Sequence, residues 1–475
     1  MTTPFQAIHD RLAEDNAPNL LIRYFQRAYQ QWADGISATL SGRDIEPVET
    51  LPSLDSLSKH RAAGEAALGQ SVMIKLNGGL GTSMGLNKAK SLLQVKQGFS
   101  FLDIIARQIL HLRQQHHVSI PLLFMNSFST QADTLAALSN YPDLAAEQTG
   151  IPLDFLQNKV PKIDSKTGLP AEFPANPELT WCPPGHGDIY ICLQTSGILD
   201  ALLDQGYRYI FVSNADNLGA VFSPEILGYM AAESIPFLME ATRRTPADRK
   251  GGHLALSSKG SFLLRESAQC PEAETADFQN IDRYKYFNTN NLWLHLPALR
   301  DCLKQSEGVL PLPIMVNRKT VDPRNPDSTP VVQLETAMGS ALGVIPGARA
   351  IDVPRTRFAP VKTTDDLLAL RSDCFEIDDE EHIVPNPERR TRTIDIQLDP
   401  TFYKLIDDFE ARFSAGLPSL LECERLSVKG DCYFSAGIRC VGDVVLENTS
   451  DAPVQVPADT VLTGSHSFSS DSAQA

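Results

Sequence analysis

The chain has 475 residues, 42% of them hydrophobic and 21% charged, with a formal net charge of −16. That length supplies two or three domains with sizeable cores. The acidic balance excludes a nucleic-acid or anionic-membrane partner, since either needs a basic face. The eight cysteines form no CxxC pair, so they read as reduced thiols of a cytoplasmic protein.

The start, MTTPFQAIHDRLAED, lacks a basic segment followed by an apolar core, so no signal peptide is expected. No apolar run approaches the roughly 18 residues of a membrane span. In NLLIRYFQRAYQQW, Leu21, Phe25, Ala28 and Trp32 recur at steps of four, three and four, which predicts a helix with one packing stripe. A linker rich in Pro, Ser and Leu, EPVETLPSLDSLS, follows, and residues 1–67 read as an N-terminal helical region.

From Ser71 the pattern alternates. SVMIKL predicts a strand, FLDIIARQILHL a helix, IPLLFMNS a strand and TLAALSNY a helix. ICLQTSGILDALLDQG then predicts one helix and YRYIFVSNADN a strand. This alternation indicates an α/β domain over 68–372, a mostly parallel sheet covered by helices. Ligands of such sheets bind beyond the C-terminal ends of the strands. The loop after SVMI and the NADN stretch both lie at such ends, so they are expected to face one site.

The loop after SVMI is KLNGGLGTSMGLNKAK, residues 75–90. Glycines just past a strand let backbone amides wrap phosphate oxygens. A Walker loop is excluded, because Ala89 and Met84 stand where its two glycines belong. The dinucleotide fingerprint fails as well: after Gly79 and Gly81 the third glycine falls one place late, at Gly85. Gly78, Gly79 and Gly81 with Lys90 behind them remain a phosphate-binding loop of another kind, with Lys90 as a mobile point charge.

Residues 373–475 read as a separate domain. The acidic run 378–381 and PNPERR look like a solvated connection. KGDCYF and VGDVVL place Gly-Asp at 430–431 and 442–443, twelve residues apart. Two six-residue periods suggest a small β-helix, and a plain β-hairpin region fits the same pattern. The end, SHSFSSDSAQA, reads as a frayed tail.

KLNGGLGTSMG resembles the signature of the eukaryotic-type UDP-glucose pyrophosphorylase (UTP–glucose-1-phosphate uridylyltransferase) family. PLLFMNSFST, PPGHGDIY, IFVSNADNLGA, KGGHL, FNTNNLWL, QLETAMGSAL and RTRFAPVKT follow in that family's order, so the resemblance is dense over 70–372. It implies a Rossmann-like nucleotidyltransferase domain of GT-A type, with helices on both sheet faces, followed by a short left-handed β-helix. It also implies that UTP and glucose 1-phosphate give UDP-glucose and pyrophosphate with Mg²⁺. A phosphate monoester is already anionic near neutral pH, so such a reaction needs positioning and charge neutralisation but no general base.

By resemblance, Leu76, Asn77, Gly78 and Gly79 hold the nucleotide, Lys90 meets the UTP phosphates, and Lys362 bridges the sugar phosphate and the α-phosphate. Asp216 is expected to bind Mg²⁺, with a helix-capping role as the alternative. Gln157 and Gly185 are expected at the uridine, although Gln157 could equally fill a loop. His186, Asn214, Gly251, Glu266, Asn288 and Asn290 match sugar-facing positions, with turn chemistry as the other reading of NTNN.

The sequence departs from the family at Ala89, where proline is common, and at Ala215, where glycine is common. The β-helix also looks shortened, which argues for a monomer or small homo-oligomer. Other readings are a pyrophosphorylase for galactose or N-acetylhexosamine 1-phosphate, an inactive nucleotide-sugar-binding regulator, and a glycosyltransferase. The N-acetyl type favours LxGGQGTRLG, where Leu80 and Ser83-Met84 stand here; a glycosyltransferase would carry DxD, and NADN has one Asp.

Overall fold

A computed structural model describes residues 4–36, 39–146, 150–389 and 394–469. Ten strands form its main sheet. They are β1 (Ile45–Pro47), β2 (Ser71–Asn77), β3 (Leu122–Asn126), β4 (Asp154–Leu156), β5 (Tyr209–Asn214), β6 (Phe237–Arg243), β7 (His253–Ser257), β8 (Phe262–Arg265), β9 (Tyr286–His295) and β10 (Arg349–Asp352). The order is β1-β7-β9-β5-β2-β3-β4, with β6 between β9 and β10 and β8 beside β7. Strands β5, β2, β3 and β4 run parallel, and β9 joins β5 antiparallel.

Strand β2 is buried on both faces, which is why it reads as an almost unbroken apolar run. Val72 and Ile74 enter one core with Leu123 and Val212, and Met73 enters the other with Phe124, Phe211 and Trp293. The register aligns Asn214 with Leu76 and Asn77 with Asn126, so these strands end at one edge. The helix Phe101–His116 starts where a capping box fixes it: Ser100 Oγ accepts from the Asp103 amide, and Asp103 accepts from the Ser100 amide.

The N-terminal stripe packs as expected. Leu21, Phe25 and Ala28 are buried in a cluster with Ile163, Val332 and Leu334, and Trp32 lies half-buried at its margin. Four expectations need correction. The stretch taken as a linker contributes β1, which pairs antiparallel with β7. The single helix expected over 191–206 is two, Ile189–Thr195 and Ile198–Asp204, because Gly197 at φ +75° breaks the hydrogen-bond ladder between them. The acidic run closes a hairpin between Phe375–Ile377 and Ile383–Pro385, and Glu381 pairs with Arg107 at 2.7 Å. The supposed tail begins inside a strand that ends at Phe468, and 470–475 lie outside the described residues.

The C-terminal region is a parallel coil of β11 (Asp395–Leu398), β12 (Ser419–Lys429), β13 (Arg439–Asn448) and β14 (Val461–Phe468). Lys429 lies beside Glu447 and Asn448 beside Phe468, so a turn of the coil takes about 18 to 20 residues, three six-residue periods or slightly more. The two Gly-Asp pairs, two such periods apart, fall within one turn. Leu426, Val444 and Leu462 fill the coil and belong to the same apolar cluster as Met73 and Phe101.

Candidate active site

Four loops leave the common strand edge and meet there. The glycine-rich loop is tied down at each end: the Lys90 amide donates to Gly79 O at 3.0 Å, and Ser127 Oγ donates to Gly78 O at 3.0 Å. Gly81 and Gly85 adopt φ of +68° and +78°, a region L side chains avoid. Asn77 is buried, and its amide donates to Asn126 Oδ1 and Thr134 Oγ1, so it fastens the loop to β3. Leu76 O accepts from the Ala215 amide at 3.0 Å, which joins the glycine loop to NADN.

Lys90 and Asp216 come together. Lys90 Nζ donates to Asp216 Oδ2 at 2.6 Å and to Val361 O, with the two side chains 16% and 23% exposed. The Val361 amide donates back to Asp216 O at 3.2 Å. Lys362, next along, is exposed, with its amide donating to Asp366 Oδ2 and its ammonium 5.9 Å from the Phe358 ring. Two lysines and one carboxylate thus occupy one corner, with glycine amides alongside. This donor set fits a Mg²⁺ held by one carboxylate together with nucleotide phosphates. Among the described residues no cluster of three or more His, Cys, Asp or Glu side chains could hold a metal unaided.

Gln157 lies beside this corner. Its Nε2 donates to Gly185 O at 2.9 Å, and a Cβ on Gly78 would sit 3.0 Å from its Oε1. Gly185 has φ +82°, and a Cβ there would come within 2.3 Å of Thr336 O. His186 Nδ1 accepts from the Met338 amide at 3.0 Å, so the ring proton belongs on Nε2. Burial pushes its imidazolium down to about 4, so it is a neutral donor at pH 7.

A second group gathers around β7–β9. Gly251 has no room for a side chain, since a Cβ would lie 1.9 Å from Phe287 Cε2. Glu266 crowds Gly252, where a Cβ would be 2.5 Å from its Oε2, and burial raises its carboxyl above the usual range. Asn288 Nδ2 donates to Asn290 Oδ1 at 2.9 Å, and Asn290 takes φ +59°, so the NTNN run does contain turn chemistry. Asn214 ends β5, with its carbonyl accepting from Asn217. Among the described residues no hydrogen bond or ion pair joins this group directly to Lys90, Asp216 or Lys362.

A model of the UTP–glucose-1-phosphate uridylyltransferase family matches residues 22–440. The chain belongs to that family.

Curated uridylyltransferases of Solanum tuberosum and Hordeum vulgare are each 38% identical to it, over 88% and 94% of this chain and 85% and 90% of their own. A UDP-glucose pyrophosphorylase variant from Leishmania major, crystallised with UDP-glucose, is 43% identical. It superposes with TM-score 0.92 over 98% of this chain and 100% of its own. The Trypanosoma brucei structure gives 0.87 at 42% identity, over 98% and 100% of the two chains.

Seen within the uridylyltransferase family, Ala89 is buried with φ −52°, the angle that the usual proline would fix. Ala215 is buried too, in the same apolar cluster as Met73 and Leu218.

A polar network beneath the corner was missed in the sequence. Arg357 is held by Glu240 at 2.8 and 2.6 Å and donates to Val221 O, while its own carbonyl accepts from Asn217 and Asn291. The Ala359 amide donates to Asn217 Oδ1, so the segment carrying Val361 and Lys362 is strapped across the NADN loop. Lys75 lies buried below, pushed down to about 7 by burial and by nearby Arg357, against the pull of Glu240. The available signal was a charged residue inside an apolar strand: Lys75 in SVMIKL and Glu240 in FLME.

Proposed function

We propose that this protein transfers the uridylyl group of UTP to glucose 1-phosphate, releasing pyrophosphate, reversibly and in the cytoplasm. The observation that carries this reading is the convergence of Lys90, Asp216 and Val361, which sets two lysines and a carboxylate against a glycine-rich loop. The eight unpaired cysteines fit a reducing compartment. No helix among the described residues is long and apolar enough to cross a membrane.

The sugar phosphate oxygen attacks the α-phosphorus in line. The new P–O bond forms as the bond to the β-phosphate oxygen breaks, and the electron pair leaves with pyrophosphate. The glycine-loop amides receive phosphate oxygens, and Lys90 moves from Asp216 toward the triphosphate as the nucleotide enters. Lys362, exposed and anchored through its amide, neutralises the charge shared by nucleophile and α-phosphate. Asp216 would hold Mg²⁺, which would supply further charge neutralisation along the triphosphate. Gln157 offers an amide to the uracil edge, His186 donates from Nε2, and Glu266, Asn288 and Asn290 meet the sugar hydroxyls.

Pyrophosphate release is to be measured with UTP, Mg²⁺ and a panel of glucose, galactose and N-acetylglucosamine 1-phosphates. Glucose 1-phosphate is expected to give the highest kcat/KM. Preference for another sugar would correct the substrate, and UTP binding without release on any sugar would favour a regulator.

A further inference from the structure

The loop from Asn214 to Gly219 carries Asp216 between two anchored ends. Before it, Ser213 stands opposite Lys75 in the parallel register of β5 and β2. After it, the chain turns back through Ala220. Lys75 Nζ reaches both, donating to Ser213 Oγ at 2.8 Å and to Ala220 O at 2.9 Å. The next carbonyl, Val221 O, accepts from Arg357 Nη2 at 2.8 Å. Two buried nitrogen donors, the Lys75 amine and the Arg357 guanidinium, therefore hold consecutive carbonyls from behind, with the carboxylate of Glu240 beside them.

An ammonium is an expensive choice for that position. Lys75 is 1% exposed in a strand whose other residues are mostly apolar, and a leucine or methionine would fill the space without a desolvation cost. What an apolar side chain lacks is the pair of donors. Without them Ser213 Oγ and Ala220 O lose their partner, and the two ends of the loop are no longer tied to each other through β2, although its middle keeps the bonds at Ala215, Asp216 and Asn217.

We propose that Lys75 is a positioning residue, fixing from beneath β2 the loop that presents Asp216, so that metal binding and turnover depend on its two hydrogen bonds. This rests on the uridylyltransferase reading of the site. Lys75 does not touch the reacting atoms; it acts through Ser213 and Ala220.

The test uses the full chain as Lys75→Met, Ser213→Ala and the double variant. Mn²⁺ serves as the probe, titrated with UTP and followed by electron paramagnetic resonance, alongside kcat and amide hydrogen exchange. Lys75→Met should weaken Mn²⁺ binding about tenfold and lower kcat about tenfold to a hundredfold. Ser213→Ala should move both the same way by less, with the double variant no worse than Lys75→Met alone. Faster exchange should be confined to 213–221 and leave 419–468 unchanged. Wild-type Mn²⁺ affinity and loop exchange in Lys75→Met would overturn the proposal, as would faster exchange spread equally over the coil. A wild type that neither binds Mn²⁺ with UTP nor turns over would sink the uridylyltransferase reading instead, and the exchange pattern alone would then decide for or against Lys75.

Discussion

Replacing Arg357 by Met tests how the strap over the Lys90–Asp216 corner is held. The Arg357 and Glu240 side chains are 7% and 0% exposed, and the guanidinium grips both carboxylate oxygens. Methionine keeps much of the stem volume but leaves Glu240 with only Trp293 Nε1 at 2.8 Å and Asn291 Nδ2 at 3.1 Å. Stranding one charge of a buried pair costs about 3–5 kcal/mol. For a slope of about 2–3 kcal/mol per molar urea, the midpoint should fall by about 1–2 M. Adding Glu240→Gln removes the stranded charge, so the double variant should regain about 2 kcal/mol. Urea unfolding followed by tryptophan emission suits this test, because Trp293 stacks on Phe211 at 4.4 Å and bonds Glu240 directly. Stability and turnover should then separate: the double variant regains part of its midpoint, yet kcat stays low because Val221 O still lacks its donor. Equal midpoints for the single and double variants would refute the stranded charge as the cause.

Lys362→Ala should lower kcat about a thousandfold and change UTP affinity less than threefold, measured by steady-state kinetics and calorimetry; equal losses in both would undo its role in transfer. Gly251→Ala places a methyl 1.9 Å from Phe287, so it should raise KM for glucose 1-phosphate at least about tenfold, with UTP binding retained. His253 is fully buried against Tyr284, with burial pushing its imidazolium down to about 3. The unfolded chain binds that proton from about pH 6.5 downward, so stability should fall as pH drops from 6.5 to 3. His253→Asn should remove most of that loss, about 5 kcal/mol between pH 6.5 and 3, in acid unfolding curves.

The parallel strands β2, β3 and β5 were legible because each is a short apolar run ended by an asparagine, and the site loops follow from those ends, whereas the three-residue β4 was too short to read. Leu76, Gly79, Lys90 and Asp216 could be placed at one edge from the alternation alone, and contacts within the structure join them. The helix break at Gly197 was hidden, since leucines continue at helical spacing on either side of it. The coil was legible in part: its turn of about 18 residues is three six-residue periods, and the Gly-Asp spacing marks two of them. The Glu240–Arg357–Asn291 network was out of reach, because its members are far apart in the chain and meet only after the sheet forms. Lys75 was visible as a charge in an apolar strand, but its partners were not.

The most direct test of in-line transfer between the two substrates is stereochemical. UTP carrying a phosphorothioate of known configuration at the α-phosphorus is turned over with glucose 1-phosphate, and the configuration of the UDP-glucose thio-product is read by phosphorus NMR. A single displacement by the sugar phosphate predicts inversion at that centre. Retention would contradict it, because two displacements would then require a uridylyl group carried transiently on the protein, and neutral His186 would have to be reconsidered as its acceptor.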